Sequence, residues 1–203
     1  MGYYTRILTP TAKTVSVAKL RAILKAEGLK ASLKVEDGAG DDWTGLVLAH
    51  DSGPEIAAIE RNPVAPGELG QEEIEEFLEE IADCKPESAA KWLAEYLPKV
   101  KTIYAFQWLS GTDVKNGRAI VGSLMIGLHK TVGGVIQADG EGFADDEQGD
   151  SILWQFSDGV KGPWRMAVLR DGKWVRFEMQ LGNRKHREAF LRGEIPSGAN
   201  VLE

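Results

Sequence analysis

The first alternation of apolar and polar side chains falls in GYYTRILT (residues 2–9), a run rich in aromatic and β-branched residues that closes at Pro10, and it predicts a strand. Ser16 then precedes Val17, Leu20, Ile23 and Leu24 at helical spacing, with Gly28 beyond: an N-cap, an amphipathic helix and a glycine stop. KASLKVE (30–36) alternates again, as a half-buried strand does. WTGLVLAH and EIAAIERN, separated by DSGP, predict a hairpin, and residues 63–70 a loop.

Two helices follow. QEEIEEFLEEIAD sets Ile74, Phe77, Leu78 and Ile81 at helical spacing with acids between them. Pro86 suits a first helical turn, Ala89, Leu93, Tyr96 and Leu97 share one face, and Pro98 ends the run. KTIYAFQWL predicts a strand, residues 114–132 a helix with Ile120, Leu124 and Leu128 inward, and Gly133-Gly134 its stop. GVIQAD and SILWQFS predict strands on either side of an acidic, glycine-containing loop. PWRMAVL and KWVRFEMQL flank Asp171-Gly172, a strong hairpin signal, and a short helix over 184–192 follows.

The fold expected from this order is α+β, mostly antiparallel sheet with helices packed on one face. It divides as a β-α-β-β-β half over 1–66, an acidic helical connector over 67–100 and a β-α-β-β-β-β half over 101–203. The halves share an order and the letters of one loop, Asp37-Gly38-Ala39-Gly40 against Asp139-Gly140-Glu141-Gly142. Two readings fit that echo: an internal β-α-β-β-β duplication, or turns that recruit Asp and Gly for their backbone tolerance.

Composition narrows the function classes. The 203 residues are 43% hydrophobic and 27% charged, an ordinary globular balance, with net charge −7. That charge disfavours nucleic acid as a partner, since phosphate binding draws on Lys and Arg. The single cysteine, Cys84, forbids an intrachain disulfide and a four-cysteine zinc site. It follows Asp83 at the end of an acidic helix, which raises a thiol pKa and blunts its nucleophilicity. The N-terminus lacks the pattern of a secretory signal, and the longest apolar run is about half a membrane span, so a cytoplasmic protein off the membrane is expected.

Candidate chemistry concentrates in DGEGFADDEQGD (139–150). As an EF-hand it fails: Glu141 and Asp150 reach positions 3 and 12, but Phe143 and Ala144 occupy 5 and 6. A looser cation site from Asp139, Glu141, Asp145 and Asp146 is the metal expectation, and Asp139 with Glu141 is the best carboxylate pair for acid–base work. No cofactor is expected, because phosphate-binding glycine motifs and nucleophile elbows are missing. His50, His129 and His186 have no metal-ligand spacing.

From Glu68 to Asp83 the chain carries eight acids and no Lys or Arg. A solvated helix face accounts for that run, and so does a docking surface for a basic partner. Glu72, Glu76 and Glu79 are the interface candidates on it, with Trp164 and Trp174 as aromatic candidates on strands. The leading expectation is a non-enzymatic cytoplasmic binding protein acting through a basic protein partner, with an immunity-type role as one version. The alternatives are a metal-assisted hydrolase or a small-molecule binder using the Asp139–Asp146 loop. Oligomeric state is not legible.

Overall fold

Side chains on a strand alternate between faces, so a sheet with one covered face buries every second residue. The computed structural model describes residues 3–157 and 159–202. Its strands are β1 (Tyr3–Thr9), β2 (Ala31–Asp37), β3 (Gly45–His50), β4 (Glu55–Pro63), β5 (Thr102–Trp108), β6 (Val135–Ala138), β7 (Gly142–Ala144), β8 (Pro163–Arg170), β9 (Lys173–Gln180) and β10 (Asn200–Val201). The helices are α1 (Val17–Ala26), α2 (Leu69–Ile81), α3 (Glu87–Tyr96), α4 (Gly117–Val132) and α5 (Arg184–Leu191). The class is α+β and mostly antiparallel. No helix among the described residues is long and apolar enough to cross a membrane.

The chain forms two compact units, each from two segments: Met1–Gln71 with Val100–Gly134, and Glu72–Lys99 with Val135–Glu203. The acidic connector therefore lies almost wholly in the second unit, while β5 and α4 belong to the first.

In the first unit the strands run β2-β3-β4-β5-β1, every neighbour antiparallel. Leu33, Leu46, Leu48, Ile59, Tyr104, Phe106 and Ile7 form one core with Leu20 and Leu24 of α1 and Ile120, Leu124 and Leu128 of α4. Burying each such side chain stabilises by about 1.5–3 kcal/mol. Trp43 is fully buried, and its indole N–H donates to the Val15 carbonyl at 2.9 Å. Ser16 caps α1 as its sequence requires, accepting from the Lys19 N–H at 3.2 Å.

The helix expected over 114–132 begins later. Ser110–Asp113 form a 3-10 turn, Asn116 sits at φ 69° in the left-handed region, and α4 starts at Gly117. A Cβ on Gly117 would lie 2.2 Å from the Gly111 carbonyl oxygen, so the helix can start there only on glycine.

In the second unit β6 and β7 form a hairpin, and β10-β9-β8 a separate antiparallel sheet. The β8–β9 turn is the expected one: Asp171 and Gly172 take φ 49° and 74°, and Arg170 pairs with Lys173. Met166, Val168, Phe177 and Met179 pack with Phe156, Leu181 and Phe190 of α5. Helix α2 buries Ile74, Phe77 and Ile81, and the Phe77 ring stands edge-on to Phe143 at 5.4 Å.

The strand expected at SILWQFS does not form. Ser151 makes isolated bridges to Ala144 and Met166, and the chain then runs irregularly with Ile152, Leu153 and Phe156 buried. Its amides find separate partners, Ile152 N–H donating to the Phe143 carbonyl and Trp154 N–H to that of Lys85. A short apolar run reports burial, and periodicity alone does not fix its conformation.

Candidate functional site

The acidic stretch 139–150 is two local devices in succession. Strand β6 ends at Ala138, which pairs with Gly142, so Asp139-Gly140-Glu141 is a hairpin tip. Gly140 at φ 73° follows Asp139, and Glu141 N–H donates to the Ala138 carbonyl at 3.1 Å. Asp139 and Glu141 are half-buried there, on a turn and not on the strand-end ridge that continued alternation would give.

After β7 the chain folds around one carboxylate. Asp145 is fully buried and accepts N–H bonds from Glu147 at 2.8 Å, Gln148 at 2.7 Å and Asp150 at 3.1 Å. Arg176 reaches it from β9, with Nη2 3.3 Å from Asp145 Oδ1 and 2.7 Å from Glu147 Oε2. The Arg176 Nε lies 3.3 Å from Asp150 Oδ2. Asp150, itself buried, receives Arg165 Nε at 2.6 Å, and Arg165 Nη2 also donates to Gln148 Oε1 at 3.2 Å. Register explains the convergence. Arg165 pairs with Glu178 and Ala167 with Arg176, so both arginines share the face opposite Met166, Val168 and Phe177.

Burial works against the Arg176 charge, but the bond to Glu147 and the proximity of Asp145 outweigh it and hold the guanidinium pKa above its ordinary value. The loop is thus cross-linked by charge-assisted hydrogen bonds to a β-hairpin.

Asp146 points its charge elsewhere. The Tyr96 hydroxyl is pushed up to about 12, by burial first and then by the Asp146 carboxylate. The Tyr96 ring stacks on Trp92 at 5.1 Å, and Trp92 meets Trp174 edge-on at 5.0 Å. Among the described residues, which include Asp139, Glu141, Asp145 and Asp146, no three His, Cys, Asp or Glu side chains are gathered as a metal-ion ligand set.

The interface candidates divide by exposure. Trp174 is buried against Trp92, and Trp164 is half-buried with its indole N–H donated to Ser151 Oγ at 2.9 Å. Glu72, Glu76 and Glu79 are exposed, one per turn along α2, and none has an ion-pair partner among the described residues. The helix has no basic residue in its last turn to complement its dipole. Cys84, just beyond it, has its thiol pKa raised by burial first and by Glu80 and Asp83 in addition.

Charge is divided unevenly between the units. The second holds 21 Asp and Glu against 12 Lys and Arg, net −9, and the first 10 against 12, net +2, which together make the chain's −7. Two of the three histidines serve local structure. His129 Nε2, in the last turn of α4, lies 2.6 Å from the Gly134 carbonyl oxygen, and His186 Nδ1 accepts the Gln180 N–H at 3.3 Å.

Sequence reasoning singled out the acids of the loop and missed Arg165, Gln148 and Arg176. One arginine inside each of the paired runs PWRMAVL and KWVRFEMQL was the available signal. No family model matches the chain, and neither does any curated protein or solved structure.

Proposed function

We propose that the chain is a non-enzymatic binding protein that engages a basic protein partner through the exposed face of α2. The observation that carries this reading is the stripe Glu72, Glu76, Glu79: three exposed carboxylates at one-turn intervals with no ion-pair partner among the described residues. Like charges four residues apart on a helix cost about 0.2–0.5 kcal/mol per pair, so the face is held at some expense to the helix and is relieved by a cationic surface. The net charge of the second unit adds a field that speeds encounter with such a partner. Saturation of Asp145 by backbone N–H groups and Arg176 supports a structural task for the neighbouring loop in preference to a reactive one. An immunity-type role in the cytoplasm is the specific version: the acidic face covers the basic substrate groove of an enzyme acting on nucleic acid.

Affinity capture from source cells with the wild-type chain and with a Glu72→Lys/Glu76→Lys/Glu79→Lys variant tests the reading, each captured protein being purified and titrated in turn. A basic protein bound by the wild type, released by salt and lost in the variant supports it. Equal capture by both chains sinks it.

A further inference from the structure

Gly28, at φ 65°, turns the chain out of α1 toward β2 and leaves Leu29 and Lys30 facing the end of β3, where His50 stands. The turn before α4 brings Lys115 and Asn116 to the same place. These groups, with Ile120, line a cleft of about 270 Å³ within the first unit.

The lining contains two ammonium groups, an imidazole and a carboxamide, and no carboxylate. Lys30 and Lys115 are exposed, and neither has an ion-pair partner among the described residues. The His50 Nε2 lies 3.2 Å from the Gly111 carbonyl oxygen; a carbonyl only accepts, so that nitrogen carries the proton. The first turn of α4, which opens on this cleft, holds no acidic residue, and the Asn116 side chain makes no capping bond to it. In a chain of 31 carboxylates, this concavity has two cations and no carboxylate in its lining. An anion held there gains charge-assisted hydrogen bonds.

We propose that this cleft binds a small anion of the phosphate class. Its volume lies just under the roughly 300–1,000 Å³ of drug-sized sites, which suits a single phosphate group carrying at most a small body over Leu29 and Ile120. None of its lining residues belongs to the acidic face of α2.

The test titrates sodium phosphate against the purified chain at constant ionic strength, chloride replacing phosphate, while amide NMR shifts and Tm are recorded. Saturable shifts at the amides of His50, Lys115, Asn116 and Gly117 are expected. Tm rises by roughly 4 °C at ten times the Kd. Lys30→Ala/Lys115→Ala weakens binding at least tenfold, and the control Lys13→Ala/Lys130→Ala, in the same unit, does not. A second arm uses a sugar monophosphate: tighter binding than phosphate identifies a phosphorylated small molecule, and equal binding identifies free phosphate. Non-saturating shifts, shifts confined to other residues, or equal affinity in the double variant overturns the proposal.

Discussion

Arg176 Nη2 stands 3.3 Å from Asp145 Oδ1, joining a fully buried carboxylate on the 145–150 loop to the second strand of a hairpin. The same carboxylate holds three loop N–H groups. Without it those N–H groups lose their acceptor, while Arg176 keeps Glu147 and Asp150. Asp145→Ala is therefore expected to destabilise the chain by about 1–3 kcal/mol in urea denaturation, the cost of unsatisfied buried donors. Glu147→Ala, whose side chain is exposed, loses under about 1 kcal/mol. Similar, small effects of both changes would mean that Asp145 does not hold the loop.

Tyr96 gives the second unit an alkaline limit. Its hydroxyl, raised to about 12 by burial and by Asp146, stays protonated in the folded chain where an unfolded tyrosine ionises near 10. The folded state then binds more protons than the unfolded state between those values. The stabilisation is complete below pH 10 and is lost as pH rises toward 12. Tyr96→Phe removes a phenolate step near 12 from an ultraviolet titration and flattens the fall of stability in that window. Asp146→Asn moves the step to lower pH. A Tyr96 that titrates near the ordinary tyrosine value of about 10 refutes the account.

Two glycines of α4 differ in sign. A Cβ at Gly117 meets the Gly111 carbonyl oxygen at 2.2 Å, whereas at Gly122 nothing lies within 4 Å. Gly117→Ala forces backbone apart and costs about 1–3 kcal/mol. Gly122→Ala improves helix propensity in open space and stabilises by about 0.5–1 kcal/mol. Thermal unfolding of the two variants checks both, and a Gly117→Ala chain as stable as wild type would contradict the packing of the helix start.

The local signals carried most of the fold. Ser16, Gly28 and Asp171-Gly172 each act through neighbours a few residues away, and each does in the structure what its spacing implies. SILWQFS misled because its burial depends on amide partners at Phe143 and Lys85, which no window of sequence contains. The two DG loops that echo each other in letters both close antiparallel hairpins, β2–β3 and β6–β7, with different local bonding. Asp37 ends β2 and accepts from Thr44 Oγ1 at 2.8 Å, while Asp139 lies in a hairpin tip. The acids of the loop were visible, but their meaning rested on Arg165 and Arg176, at least 15 residues downstream of their carboxylate partners. The exposed stripe of α2 was readable outright, because helical period alone separates Glu72, Glu76 and Glu79 from the buried Ile74, Phe77 and Ile81.

That stripe makes stability and binding oppose each other. Glu79 lies in the last turns of α2, where the helix dipole disfavours a carboxylate, and it stands four residues from Glu75. Glu79→Lys reverses both terms: it suits the dipole and replaces a like-charge pair by an attractive one. The variant is expected to gain about 0.5–1 kcal/mol, seen as a rise in Tm at low salt that shrinks as ionic strength increases. If α2 is a docking face for a basic protein, the same change weakens that complex. A face that is only solvated gains the stability and loses nothing. Measuring Tm and partner affinity on the one variant separates these cases, and a Glu79→Lys chain that is no more stable than wild type would remove the argument that the acids are kept at the helix's expense.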